Sequence, residues 1–142
     1  MGSTRQSRWP IARFEIADHS MSPALQPGDY VLTRRPGRRV RRHSIVVVMA
    51  SGRYLVKRIV GLGGERVRIV GGVIMIDEIP YDDPYWSGAT RPDGEWAVPL
   101  DDVFVLGDNR VTSSSDSRHV GVMSRSDIAS VVIGRYWPWR RV

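Results

Sequence analysis

No stretch of this sequence is apolar for more than six residues in a row, the longest being Ile45 to Ala50. Ile45, Val46, Val47 and Val48 are β-branched, so the run suits a buried strand. It is far short of the roughly 20 apolar residues that a bilayer-spanning helix needs. The other apolar runs are shorter still and are cut by glycine and proline. Reading them in turn predicts strands over Arg13 to Ala17, Tyr30 to Arg34, Ile45 to Met49, Tyr54 to Val60, Arg66 to Val70, Val73 to Ile76, Val103 to Leu106 and Val131 to Tyr136. In the first, Phe14 and Ile16 fall on one face and Arg13 and Glu15 on the other. Gly71-Gly72 between two β-branched runs is a hairpin signal, and Gly61 to Gly64 marks another turn. Ser22-Pro23 reads as the start of a one-turn helix, stopped by Pro27-Gly28. Ser126 to Ala129 reads as a helical turn. Asp77 to Pro99 carries Pro80, Pro84, Pro92 and Pro99 among Tyr81, Tyr85, Trp86 and Trp96, and reads as an irregular excursion.

The sum is a mainly β fold, a compact and partly closed antiparallel β-barrel or sheet domain with short helical turns. Residues 1–10 read as a flexible basic segment and 11–142 as a single domain. Apolar residues make up 42 % of the chain, enough for a packed core. Cysteine is absent, which excludes thiol nucleophiles, disulfides and cysteine zinc sites. The N-terminus has arginines but no apolar stretch after them, so it does not read as a secretory signal. A net charge of +6 and a pI near 10.5 favour anionic partners at long range, or simply a soluble surface.

Three features carry candidate chemistry. Lys57 lies in Leu55-Val56-Lys57-Arg58-Ile59-Val60, where alternation places it on a face with Leu55 and Ile59. If that face is buried, the ammonium is desolvated and its pKa falls, as a general base requires. The plainer reading is an edge-strand lysine reaching water. Ser20, in Asp18-His19-Ser20-Met21-Ser22-Pro23, precedes the turn, and its hydroxyl is either a nucleophile near free backbone N–H groups or a turn serine. The loop Gly107 to Gly121 mixes charges of both signs with small polar residues. It is either solvated or a network of carboxylate–guanidinium pairs.

These segments resemble the three conserved boxes of the type I signal peptidase family. Ser-Met-Ser-Pro-Ala-Leu with Gly28-Asp29 is similar to the serine box. Tyr54 to Gly61 is similar to the lysine box, and Phe104 to Arg110 with Asp116-Ser117-Arg118 and Gly121 to the last box. The resemblance implies a serine endopeptidase with a Ser20–Lys57 dyad that cleaves signal or leader peptides after small residues in an Ala-X-Ala pattern. Lys57 would take the Ser20 proton, an acyl-enzyme would form, and the Ser20 backbone N–H would be one oxyanion donor. A serine of the last box would orient the lysine. Counting back from Asp116 selects Ser114, and counting forward from Arg110 selects Ser113; Ser114 is preferred. Arg58 would pair with Asp108 and Asp116 with Arg118, with Arg110 a further support. Ile16, Ala17 and Val56 would line the substrate pocket. The family implies a preprotein or peptide substrate. It implies no cofactor, metal or nucleic acid.

Four departures stand out. The family usually has membrane helices before the serine box, and none is visible here. Asp18 stands where some members place a hydroxyl as a second oxyanion donor, and a carboxylate would repel that charge. The last box carries one extra residue, and the accessory insertion shrinks to about Asp77 to Pro99. The family's place is the outer face of the cytoplasmic membrane, while a missing anchor is also consistent with a cytoplasmic enzyme. Trp137, Trp139, Arg140, Arg141 and the basic surface suggest peripheral contact with anionic membrane. Two other readings are weighed. One is a soluble leader-trimming protease like those that mature nickel superoxide dismutase. The other is a non-catalytic basic β-module binding membrane or nucleic acid. A histidine base, from His19, His43 or His119, has no telling neighbourhood.

Overall fold

The computed structural model describes residues 11–137, with the side chain of residue 137 excepted. The expectations placed on residues 1–10 and on Trp137, Trp139, Arg140 and Arg141 as side chains lie outside it. Eleven strands form two antiparallel sheets. They are β1 (Ile11–Glu15), β2 (Tyr30–Arg34), β3 (Ile45–Ala50), β4 (Arg53–Leu62), β5 (Arg66–Val70), β6 (Val73–Ile76), β7 (Ile79–Pro80), β8 (Gly94–Ala97), β9 (Asp102–Leu106), β10 (Met123–Ser124) and β11 (Ile128–Trp137). The larger sheet runs β1-β2-β11-β3-β4-β9-β10 and the smaller β7-β6-β5-β8. A short helix α1 (Ser117–Val120) and a 3₁₀ turn (Arg125–Asp127) complete the chain. Among the described residues, no helix is long and apolar enough to cross a membrane.

The mainly β expectation holds, with one difference: neither sheet closes on itself. One edge strand of each sheet is short, β7 and β10 having two residues each. The hairpin at Gly71-Gly72 forms as its sequence predicts. Both glycines have positive φ (57° and 84°), and Val70 pairs with Val73 across them, as a two-residue turn of mirror-image type demands. The Ser22-Pro23 helix does not form. Ser22 Oγ donates to the Gln26 side chain at 2.8 Å rather than capping backbone N–H groups, and the chain makes a turn closed by Leu25 N–H to Met21 O at 2.9 Å. The excursion at Asp77 to Pro99 contains β7 and β8, which extend the small sheet.

Alternation builds the core around β3 and β9. Val46 and Val48 pack in one cluster with Val103 and Val105, while Val47 packs with Ile16, Met21, Leu25, Val31 and Val56 below the Ser20 turn. Phe104 and Leu106 turn the other way, meeting Val60, Val67, Ile69 and Ile74 to join the two sheets. β4 lies between β3 and β9 and is buried continuously from Leu55 to Gly61. With both its faces covered, alternation along β4 does not separate a wet side from a dry one.

Candidate active site

Ser20 sits in the turn after β1 and is 6 % exposed. Two attachments hold that turn. Met21, 1 % exposed, drives its side chain into the core, where full burial of methionine is worth about 1.5–3 kcal/mol. The Ser20 carbonyl accepts the Asn109 N–H at 2.9 Å, tying the turn to the loop after β9.

Lys57 is 2 % exposed in the middle of β4, paired with Val46 of β3. Burial pushes its ammonium below the ordinary value of 10.5. Arg118 and Arg53 add to that push, while the charges of Asp116 and Asp18 oppose it. Its Nζ donates to Ser113 Oγ at 3.1 Å, and Ser113 Oγ donates to Asp116 Oδ2 at 2.8 Å. Ser113 thus turns its proton to the carboxylate and a lone pair to the lysine. Ser114 is exposed, so the spacing counted forward from Arg110 is the one the geometry follows, and the preference for Ser114 is corrected. The extra residue of the box is accommodated after Ser113, at the exposed side of the loop. Gly107 is required for this packing: a Cβ there would lie 2.2 Å from Ser113 Oγ.

Asp116 is wholly buried and fully engaged. Burial alone would raise its pKa. The fork from Arg118 (2.9 and 2.8 Å), the Ser113 hydroxyl and the Gly107 N–H at 3.2 Å outweigh this and hold the carboxyl below its usual range. Arg58 makes the expected fork with Asp108, at 2.8 and 2.7 Å, and also lies 3.5 Å over the Tyr85 ring. Arg110 donates to Gly107 O and Thr90 Oγ1, each at 2.8 Å, and pairs with Asp83 at 2.7 Å.

Beside Ser20 is a cavity of about 50 Å³. Ile16, Ala17 and Val56 line it, together with Phe14, Asp18, Met21, Tyr54 and Leu55. Its wall combines apolar side chains with the polar groups of Asp18, Ser20 and Tyr54.

A model of the family described as signal peptidase, peptidase S26, matches residues 8–137.

The chain belongs to the signal peptidase family.

It is a serine endopeptidase of that family. It is 30 % identical over 150 residues to signal peptidase I of Bacillus caldolyticus, covering 92 % of this chain and 82 % of that protein. It is 31 % identical to signal peptidase I of Leptolyngbya laminosa, covering 89 % and 69 %. The crystal structure of a signal peptidase I from Enterococcus faecalis V583 superposes with a TM-score of 0.57, at 24 % identity over 71 % of this chain and 99 % of that one. That likeness supports the fold.

Several site residues escape a reading of the family boxes. Asp83, Tyr85 and Thr90 lie in the Asp77 to Pro99 segment, where composition suggests only irregularity. Their side chains nonetheless grip Arg110 and Arg58 from outside the Gly107 to Gly121 loop. Of the histidines, His43 packs against Tyr81 and Tyr85, and His19 and His119 are exposed. Asp18 contacts the serine instead. Its Oδ1 accepts the Ser20 backbone N–H at 3.0 Å. Burial raises its pKa, but hydrogen bonds from the Ser20 N–H and hydroxyl, with the charges of Lys57 and His19, bring it below its ordinary 3.8.

Proposed function

We propose that this protein removes signal or leader peptides from preproteins by cleaving after small residues, with Ser20 as nucleophile and Lys57 as general base. The observation that carries the reading is Lys57. A lysine this deeply buried, with its pKa lowered and its ammonium nitrogen bonded to the neutral Ser113 hydroxyl, is poorly suited to a structural ion pair and well suited to accept a proton.

In this mechanism Lys57 Nζ takes the Ser20 Oγ proton as Oγ bonds to the scissile carbonyl carbon. The carbonyl π pair moves to oxygen. Collapse breaks the C–N bond, and the Lys57 proton passes to the departing amine. Water then attacks the acyl-enzyme, again losing its proton to Lys57, and Ser20 is restored. Ser113 positions the lysine, Asp116 and Arg118 hold Ser113, and Arg58–Asp108 holds the loop to β4. The cavity beside Ser20, of about 50 Å³, has room for a side chain of alanine size, which supports the Ala-X-Ala preference. The exposed arginines Arg34, Arg35, Arg38, Arg39 and Arg41 support peripheral contact with anionic lipid.

The test is cleavage of a peptide with an Ala-X-Ala site, read by mass spectrometry. Ser20→Ala and Lys57→Ala should each remove nearly all cutting. Full cutting by the Lys57 variant rejects the dyad.

A further inference from the structure

The Ser20 backbone N–H is the nearest main-chain donor to any oxyanion formed on a carbonyl that Ser20 attacks. Preorganised donors of this kind supply much of the stabilisation in acyl transfer, and loss of one costs about 10²–10³ in rate. Here that N–H is already taken: Asp18 Oδ1 accepts it at 3.0 Å. Asp18 lines the cavity beside Ser20 and is exposed on its outer side, so it has space to leave. One N–H cannot serve a carboxylate and an oxyanion at full strength, and two anions within a few ångströms of it repel each other.

We propose that Asp18 is a displaceable brake on acylation: in the resting enzyme its carboxylate fills the oxyanion position at the Ser20 N–H, and the substrate carbonyl must push it out before the tetrahedral intermediate can be stabilised. The proposal rests on Ser20 as nucleophile. The charged groups facing Asp18 are Lys57 from β4 and His19 from its own turn. Proton transfer from Ser20 recharges Lys57 at the moment the oxyanion forms, and the new ammonium gives the displaced carboxylate a partner. Asp18 is thus held against the serine before attack and drawn towards the lysine after it.

The experiment measures kcat and KM against pH for the parent, Ser20→Ala, Asp18→Asn and Asp18→Ala, using the Ala-X-Ala peptide. Above the acid limb set by Lys57, Asp18→Ala should show a kcat/KM plateau about tenfold higher than the parent, with kcat carrying the gain; this is a fraction of a full oxyanion donor because substrate already displaces the carboxylate in the parent. Asp18→Asn should fall between, since its amide oxygen can still accept the N–H but carries no charge. Both variants should move the acid limb to lower pH, because Lys57 loses an anionic neighbour. If Asp18 merely held the turn, Asp18→Ala would lose activity and Asp18→Asn would restore it, and that pattern overturns the brake. Should Asp18→Ala fail to fold, Asp18→Asn decides: a plateau at or below the parental value overturns the proposal. Cutting by the parent that vanishes in Ser20→Ala secures the underlying reading separately. Cutting that survives Ser20→Ala defeats that reading and the brake together, and so does a lack of cutting by every variant. Cutting by Asp18→Ala alone supports the brake.

Discussion

Removing the Ser113 hydroxyl tests whether Lys57 is only buried or is also aimed. Ser113→Ala deletes two bonds at once, from Lys57 Nζ at 3.1 Å and to Asp116 Oδ2 at 2.8 Å. A hydrogen bond to a charged group is worth about 1.5–3 kcal/mol. Asp116 keeps Arg118 and the Gly107 N–H, so the net loss belongs near the lower end, about 2 kcal/mol. For a chain of this length that corresponds to a fall in Tm of roughly 6 °C. The kinetic signature is more specific. The ammonium loses an acceptor it has no other way to replace in a dry site, so the charged form is further disfavoured and the acid limb of kcat/KM moves to lower pH. The lysine is better poised to be neutral yet no longer aligned, and misplacement of a reacting group by about 1 Å costs about 100-fold. The plateau should therefore drop about 100-fold while the limb shifts down. Ser114→Ala, at the exposed neighbour, should change neither. An undiminished plateau in Ser113→Ala, or an equal drop in Ser114→Ala, refutes the reasoning.

Lys57→Met should stabilise the protein, and more so at low pH. Because the folded-state pKa lies below 10.5, folded and unfolded chains are both charged at low pH and folding then bears the full burial penalty. Between the lowered value and 10.5 the unfolded chain binds more protons, so parental stability rises with pH. Calorimetric Tm curves of parent and variant should converge across that window, and a constant gap contradicts the assignment. Asp108→Ala leaves the Arg58 guanidinium buried without its carboxylate, a loss of about 3–5 kcal/mol. Urea unfolding should show the midpoint falling with the slope unchanged, and a change under 1 kcal/mol would mean that Tyr85 and the His43 carbonyl suffice to hold the arginine.

Much of this fold is legible in local chemistry. The bounds of β2, β5 and β6 agree with the sequence reading: Gly71-Gly72 separates β5 from β6, and Pro27-Gly28 and Pro36-Gly37 flank β2. The Arg58–Asp108 and Asp116–Arg118 contacts follow once the family boxes are aligned. What local reading misses are choices made by distant partners. Whether Ser113 or Ser114 faces the lysine depends on where an extra residue bulges, and that is decided by the close approach of Gly107. The parts played by Asp83, Tyr85 and Thr90 depend on arginines some 20 to 30 positions away in sequence. The missing helix at Ser22-Pro23 reflects Gln26 competing for the serine hydroxyl. The sheets stay open because their strand order leaves β1 and β10 unpaired with each other, a matter of topology that no short window contains.

The position of β11 has a consequence for a chain made from one end. β2 and β3 both pair with β11 in the finished sheet, β11 lying between them, yet among the described residues it is the strand that follows all the others in sequence. Until residues 128–137 leave the ribosome, the half carrying Ser20 and the half carrying Lys57 have no shared backbone ladder to register them. Formation of the ladder that registers Ser20 against Lys57 therefore waits on β11 pairing with both neighbours.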